Sequence, residues 1–377
     1  MPRPTWRFWL WPSELRHGGV LGMNQRNARY LFEHNPRARY PLVDDKLLTK
    51  RVCHQRGIPA PETYAVIERN GDIAPFLRRA TRWPEFVVKP AKGAEGRGIL
   101  VVQDHDGHTF TTPGGQTLDA TELGYHLATI LSGLHSLGGQ VDRALVEQRI
   151  VRHPAFDEVA VGGTPDIRVI VYRGVPAMAM LRLPTVASRG RANLHQGAVA
   201  AGIELRSGRT LGGVCQGRAV ESHPDTGRPI AGLTIPAWDT VLRSAMNLAD
   251  GIGLGYLGVD FVLDAKIGPV VLETNARPGL AIQIANRSGL AHRLEWIDAC
   301  LPEGLSIDQR IRWLQSAGQP ADETIAWLAA PESSTVESLP AIGPGAERRA
   351  TAAAPHLTFT NTRTTRRGER RPSRLHR

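Results

Sequence analysis

Cysteine is scarce in this chain. Cys53, Cys215 and Cys300 stand far apart, and no two of them form a CxxC pair. An odd number of isolated cysteines argues against a disulfide framework and against a cysteine-based zinc site. The sequence therefore predicts a reducing, cytoplasmic setting.

Long hydrophobic runs are missing as well. No run of 18 apolar residues occurs, so no transmembrane helix is expected. The apolar stretch near the start is interrupted by arginines and ends at Pro12, which makes it too short for a signal-peptide core. With 41% hydrophobic and 22% charged residues, the 377-residue chain has the composition of a soluble globular protein with two or three compact units.

Acidic residues are outnumbered, at 36 against 46 lysines and arginines, and the net charge is +10. Residues 356–377 alone hold seven arginines against the single acid Glu369. The rest of the chain is mildly basic, which suits phosphate ligands without requiring nucleic acid. A basic nucleic-acid-binding protein is an alternative, although the basic tail lacks interleaved aromatic residues.

A glycine-rich segment at residues 91–99 lies between two β-runs, at 86–90 and 100–102. The backbone N–H groups of such a turn can cradle phosphates. No Gly-Lys-Ser/Thr opens a helix here, and a strand follows, which excludes a P-loop and a Rossmann fingerprint. Because glycine-rich hairpin turns are often purely structural, the pattern alone leaves both interpretations open.

Two further β-runs, at residues 258–263 and 270–275, flank a loop that contains Gly268-Pro269 and predict a hairpin. Glu273 and Asn275 are two apart and share one strand face, and the hairpin brings Asp260 beside them. Two carboxylates and an amide carbonyl are hard oxygen donors that suit Mg²⁺ when phosphates and water complete its shell. The alternative is the solvated polar face of an ordinary hairpin.

A helix is expected at residues 25–33, and four others carry start signals or apolar stripes. One begins at Asp44-Asp45-Lys46, and another follows the capping-box pattern at Asp119. The second carries an apolar stripe through Leu134 and is predicted to end at Gly138-Gly139. Residues 236–254 and 306–317 have the remaining amphipathic patterns.

The hairpin carries a family resemblance. Asp260, followed by Glu273-Thr274-Asn275-Ala276-Arg277-Pro278-Gly279-Leu280, resembles the metal-binding signature of the ATP-grasp carboxylate–amine ligases. The chain is most similar to ligases that add glutamate to ribosomal protein and to the alpha-L-glutamate ligase-like proteins, from about Leu10 to about Glu303. The resemblance implies an α/β (α+β) ATP-grasp fold, with two lobes and the nucleotide between them.

The resemblance also implies a domain plan. An N-terminal extension would span residues 1–43, an N-lobe with the glycine-rich loop 44–145, and a C-lobe with the metal site 146–330. Composition predicts a disordered, arginine-rich tail at 331–377.

Roles for single residues follow from the same resemblance. ATP would be bound by lysines, loop glycines and a hinge segment, namely Lys46, Lys89, Gly93, Gly96, Gly98, Glu147, Gln148 and Ile150. Two Mg²⁺ ions, or Mn²⁺, would be held by Asp260, Glu273 and Asn275. Arg168 would face the transferred γ-phosphoryl group, unless it merely forms a salt bridge with Asp166. Asn193 or Arg277 would contact the acyl donor.

The predicted activity is an ADP-forming ligase that joins a carboxylate, such as glutamate, to an amine through an acylphosphate. The amine would belong to an amino acid, peptide, protein or small molecule, and a homo-oligomer is possible. Two departures from the ribosomal-protein ligases leave the acceptor open. Arg277 replaces a small residue, and Gln196 replaces the basic residue after the Asn-Leu-His block. An ATP-grasp enzyme with a thiol or phosphate acceptor is the alternative within the fold.

Overall fold

The computed structural model describes residues 11–93 and 96–316. The predicted disordered tail at 331–377 lies outside the described residues. Within the described part of the chain, no helix is both long and apolar enough to span a bilayer.

The strands form antiparallel sheets. In chain order they are β1 Thr63–Ile67, β2 Phe86–Pro90, β3 Leu100–Val102, β4 Asp104–His105, β5 Thr109–Thr111, β6 Thr117–Asp119, β7 Ala144–Glu147, β8 Asp166–Tyr172, β9 Val175–Leu183, β10 Val199–Ile203, β11 Thr210–Cys215, β12 Arg218–Val220, β13 Tyr256–Asp264 and β14 Gly268–Asn275. The first sheet has the order β1-β7-β2-β3, and the large sheet has the order β12-β11-β10-β9-β8-β13-β14. A separate small meander has the order β4-β5-β6, and its Phe110 packs in the same core cluster as Phe86 of the first sheet.

The α-helices in chain order are α1 Pro12–His17, α2 Met23–Gln25, α3 Phe32–His34, α4 Pro41–Asp44, α5 Lys46–Gln55, α6 Ile73–Arg79, α7 Ala120–Leu131, α8 Trp238–Ile252, α9 Ile282–Asn286, α10 Leu290–Cys300 and α11 Ile307–Ser316. A π-helical turn, Arg26–Leu31, joins α2 to α3. The four helices predicted from start signals or apolar stripes have counterparts here as α5, α7, α8 and α11, and the helix predicted at 25–33 falls on α2, the π-helical turn and α3.

Helix α7 covers the first sheet and shows where local pattern misleads. Its start is as predicted. Asp119 Oδ1 accepts a hydrogen bond from Glu122 N at 2.8 Å, and Glu122 Oε2 accepts one from Asp119 N at 2.9 Å. Its predicted end is wrong. The helix stops at Leu131, and Leu134 is 71% exposed. Gly133 turns the chain at φ +84°, where a Cβ would lie 2.4 Å from the carbonyl oxygen of Gln140.

The large sheet is covered on both faces. Helix α8 packs on one face against alternate residues of β8 and β13, such as Val169 and Phe261. Helices α9 and α10 cover the other face together with the N-terminal segment, residues 18–35, which contributes Leu21, Tyr30 and Leu31. Every residue of β13 is buried as a result, so a charged side chain on this strand needs a partner inside the protein.

Asn35 fastens the N-terminal segment to the large sheet. Its Nδ2 donates to Tyr256 O at 2.8 Å and to Ala276 O at 3.2 Å, and its Oδ1 accepts from Tyr256 N at 2.9 Å. The side chain is 4% exposed. The neighbouring Arg26 donates to Pro278 O at 2.8 Å, so the segment also holds the turn that follows β14.

We predict that Asn35→Ala lowers the free energy of unfolding by about 2–4 kcal/mol, because it strands buried backbone groups of Tyr256 and Ala276. Urea unfolding measures the change. Asn24→Ala, at an exposed position of α2, is the control and should cost less than about 0.5 kcal/mol. Equal effects of the two substitutions would contradict this assignment.

Candidate active site

A buried carboxylate, Asp260, lies on β13, the second strand from one edge of the large sheet. In the strand register, Asp260 lies opposite Arg168 of β8 on one side and Glu273 of β14 on the other. Arg168 binds it with two hydrogen bonds, Nε to Oδ1 at 2.7 Å and Nη2 to Oδ2 at 2.5 Å. Arg182 of β9 adds a third, Nη2 to Oδ2 at 3.1 Å. The predicted hairpin is thereby confirmed, with Asp260 and Glu273 directly across from each other.

The pKa values of the two hairpin carboxylates are shifted in opposite directions. Burial raises the pKa of Asp260, but Arg168 and Arg182 outweigh it and hold the pKa at about 2. Burial and the charge of Asp260 raise the pKa of Glu273 above its ordinary value. Asp260 therefore stays ionised, and its negative charge makes ionisation of Glu273 less favourable.

Asp166 has a different partner from the one considered in the sequence. Arg182 binds it through both Nε and Nη2, with 2.6 Å from Nη2 to Oδ2. Arg182 thus bridges Asp166 and Asp260, while Arg168 belongs to Asp260. The considered salt bridge between Arg168 and Asp166 is wrong, because the register sets Arg182 opposite Asp166.

Asn275 closes the oxygen cluster, with its Nδ2 3.4 Å from Asp260 Oδ2. No three His, Cys, Asp or Glu side chains of the described residues gather as a complete metal site. Two carboxylates and one amide form a partial donor set, and such a set fits Mg²⁺ that takes its other ligands from phosphate and water. The donor types present therefore suit the expected metal, while both oxygens of Asp260 accept hydrogen bonds from arginines in this structure.

Lys46 links the oxygen cluster to the glycine-rich loop. Its Nζ donates to Gly93 O at 2.6 Å and lies 3.9 Å from Glu273 Oε2, while its backbone N donates to Ala91 O at 3.0 Å. Burial, opposed by Glu273 and aided by Lys89, lowers its pKa. Asp45, the N-cap of α5, accepts from Leu47 N and fixes the helix start beneath the loop.

A second buried carboxylate holds two more lysines. Glu147, at the end of β7, contacts Lys89 of β2 through Oε1 and Lys50 of α5 through Oε2, the latter at 2.5 Å. Burial raises the pKa of Glu147, but the two lysines reverse the shift and bring it below the ordinary value. Lys89 and Glu147, two of the residues predicted to bind the nucleotide, are therefore paired to each other.

The glycine-rich loop connects β2 and β3, and its described residues, 91–93 and 96–99, open no helix, as expected. Gly96 and Gly98 have φ of +72° and +71°, which favour glycine. A Cβ on Gly93 would lie 2.2 Å from Pro90 Cγ. Asp142, which is buried, accepts from the backbone N of Lys92 at 2.9 Å and anchors the loop's first turn.

The predicted hinge runs from β7 towards the β13–β14 turn. Gln148 N donates to Glu62 O at 2.9 Å. After Ile150, Val151 N donates to Asp264 Oδ2 at 2.9 Å. The segment thus ties the first sheet to the large one, and its proposed contact with adenine stays a prediction.

Asn193 and Arg277 stand outside this network of described residues. Asn193 lies in the loop between β9 and β10, where its Oδ1 accepts from His195 N at 3.0 Å. Arg277 is exposed and stacks over the ring of Tyr40 at 5.3 Å. Their contact with an acyl donor stays a prediction.

Sequence reasoning missed Lys50, Arg182 and Asp142. Lys50 follows Lys46 by one helical turn, so its place on the same side of α5 was readable. Arg182 and Asp142 meet their partners only through strand pairing and loop folding, for which the sequence carries no local signal.

We predict that Arg182→Met lowers the free energy of unfolding by about 3–5 kcal/mol at pH 7, because it leaves two buried carboxylates short of a cation. The loss should shrink as pH falls from 7 towards 4, because burial raises the pKa of Asp166 to about 7 and its carboxyl takes up a proton in that range. Urea unfolding at several pH values measures this. Arg218→Met, at an exposed position of β12, is the control, and a pH-independent loss at Arg182 would contradict the electrostatic account.

A known protein family matches most of this sequence. The family described as sugar-transfer associated ATP-grasp matches residues 25–299. Among curated proteins, no relative was found.

Solved structures give further likenesses. The chain is similar to the ATP-grasp ligase PsnB complexed with minimal precursor, at 14% identity and a TM-score of 0.39, over 74% of this chain and 62% of that chain. It is similar to the D-cycloserine synthetase DcsG, at 15% identity and a TM-score of 0.40, over 71% of this chain and 73% of that chain. It is also similar to the D-alanine-D-alanine ligase from Coxiella burnetii, at 17% identity and a TM-score of 0.37, over 73% of this chain and 58% of that chain. The match spans less than two thirds of PsnB and of the Coxiella ligase.

The predicted ATP-grasp fold is confirmed, whereas membership of the glutamate ligase-like subfamily stays a prediction. Because the match covers well over half of the 377 residues, the chain belongs to the sugar-transfer associated ATP-grasp family.

Proposed function

We propose that this protein is an ATP- and Mg²⁺-dependent carboxylate–amine ligase that forms ADP. The observation that carries the proposal is the meeting of two charge clusters from two sheets. Lys46, at the start of α5, reaches both the glycine-rich loop and Glu273. The cations proposed to bind phosphate and the oxygens proposed to bind the metal therefore adjoin each other, as transfer of a phosphoryl group requires.

Each part of the site has a proposed task. Asp260, Glu273 and Asn275 would hold Mg²⁺, which when bound neutralises phosphate oxygens and orients them. Lys46 and Lys89 would bind the phosphates that stay with ADP, and Gly93, Gly96 and Gly98 would cover them. Glu147, Gln148 and Ile150 would border the adenine. Arg168 would stabilise the transferred phosphoryl group.

The proposed reaction has two steps. A donor carboxylate oxygen bonds to the γ-phosphorus of ATP as the bond to the β-phosphate oxygen breaks, which gives an acylphosphate and ADP. An amine then attacks the acyl carbon, the carbon–oxygen bond to phosphate breaks, and the amine loses a proton. Both steps shift charge among oxygens, so positioned cations suffice and no covalent enzyme nucleophile is required.

Glutamate or a similar amino acid is the proposed donor, and an amino acid, peptide or protein amine the first candidate acceptor. The family's description names sugar transfer, which makes an amino sugar the second candidate. Asn193 or Arg277 would contact the donor. A thiol or phosphate acceptor is the remaining alternative within the fold, and amine-dependent ADP release separates it from the ligase.

We expect ADP release from ATP and Mg²⁺ to depend on a carboxylate donor and an amine together. A coupled ADP assay across amino acids, with peptides, amino sugars or coenzyme A as acceptors, measures this. ADP release that responds to coenzyme A and to no amine would replace the ligase proposal with the thiol alternative. A chain lacking residues 331–377 should keep the activity, whereas a nucleic-acid-binding function would be lost with that tail.

Glu273→Gln should depress ADP formation by about 100-fold or more and raise the Mg²⁺ concentration needed for half-maximal rate, because one metal-binding charge is gone. Mg²⁺ titrations of initial rate measure both effects. Glu303→Gln removes an exposed charge and is the control. An unchanged Mg²⁺ requirement in Glu273→Gln would argue against a metal role for the hairpin.

A further inference from the structure

Lysine is rare in this chain and concentrated at one place. Five lysines, at 46, 50, 89, 92 and 266, stand among 46 basic residues. Lys46, Lys50 and Lys89 are buried around Glu147 and Glu273. Elsewhere the chain uses arginine for positive charge, so the compact ammonium group serves a particular purpose here.

The two lysines on Glu147 are bound very differently. Lys50 has three acceptors for its three protons, namely Glu147 Oε2 at 2.5 Å, Pro61 O at 2.6 Å and Thr63 Oγ1 at 3.1 Å. Lys89, among the contacts of the described residues, has only the other oxygen of Glu147. Lys50 is therefore locked between α5 and β1, whereas Lys89 keeps donors for a ligand.

The charges explain what the locked lysine does. One carboxylate faces two ammonium groups, so this group of three carries one excess positive charge in a buried site. If Lys50 were absent, Glu147 would neutralise Lys89 and could turn both oxygens to it. A phosphate would then have to compete with the carboxylate for the ammonium of Lys89.

We propose that Lys50 is a positioning residue for nucleotide binding, which occupies one oxygen of Glu147 and so leaves Lys89 positively charged towards a nucleotide phosphate. This inference rests on the proposed function, because it assumes that the site binds ATP and ADP. Lys50 itself touches no ligand and acts through Glu147 and Lys89.

The test is a double-mutant cycle read by calorimetry with ADP plus Mg²⁺, and with adenosine, on the full chain. Lys50→Gln keeps polar donors near Pro61 and Thr63 but removes the charge. It should weaken ADP binding about tenfold and leave adenosine binding within about twofold, because adenosine has no phosphate. Lys50→Met serves as the second charge-removing variant, and Lys266→Gln, at an exposed turn position, is the control.

Suppression by a second substitution distinguishes positioning from simple support of the fold. Glu147→Gln removes the carboxylate that would capture Lys89, and it is also measured alone because Glu147 is proposed to border the adenine. Adding Lys50→Gln to Glu147→Gln should then cost little further ADP affinity, whereas Lys50→Gln in the unaltered protein costs about tenfold. Equal losses for ADP and adenosine in Lys50→Gln, or an undiminished loss from Lys50→Gln in the Glu147→Gln background, would overturn the inference. If the unaltered protein binds neither nucleotide, the proposed function fails with it. If it binds ADP and Lys50→Gln binds ADP equally well, only the inference fails.

Discussion

The ion pairs of Asp260 are the interaction on which the large sheet depends. This carboxylate is fully buried in a strand that is covered on both faces. Removing an ion from water costs several kcal/mol, so the arginines of β8 and β9 must reach it with good geometry. That requirement fixes the register of β8, β13 and β14, because a slip of one residue would turn Asp260 into the apolar face packed by α8.

Helix α5 transmits this fixed geometry to the first sheet. Lys46 and Lys50 lie one turn apart on it, and they reach Glu273 of the large sheet and Glu147 of the first sheet. Thr49, between them, lies 3.3 Å from the hydroxyl of Thr274 on β14. The helix therefore sets the distance between the glycine-rich loop and the hairpin oxygens, while its own start is fixed by the Asp45 cap.

Local pattern predicted the parts of the site that are close in sequence. The hairpin, the start of α5 and the capped start of α7 each depend on residues within a few positions, and each is observed. Pairings across the sheet were beyond reach. Arg168 has Asp166 two residues away, yet it binds Asp260, 92 residues away. The predicted end of α7 was wrong for a related reason. Gly133 lies close to the carbonyl group of Gln140, which lies outside the helix pattern, and the apolar Leu134 beyond it faces solvent.

The charge balance of the site bears on the form in which a nucleotide would enter. Lys46, Lys50, Lys89, Arg168 and Arg182 face the carboxylates of Glu147, Asp166, Asp260 and Glu273, so the buried charges nearly cancel. Under the proposed function, free ATP would bring a large uncompensated negative charge into this balance. ATP that carries its Mg²⁺ ions would be close to neutral, and Lys89 could bind a phosphate oxygen through its remaining donors while it keeps its contact with Glu147. A nearly neutral complex costs far less to bury than a free polyanion, so under the proposed function the ion pairs already present favour entry of the nucleotide together with its metal ions.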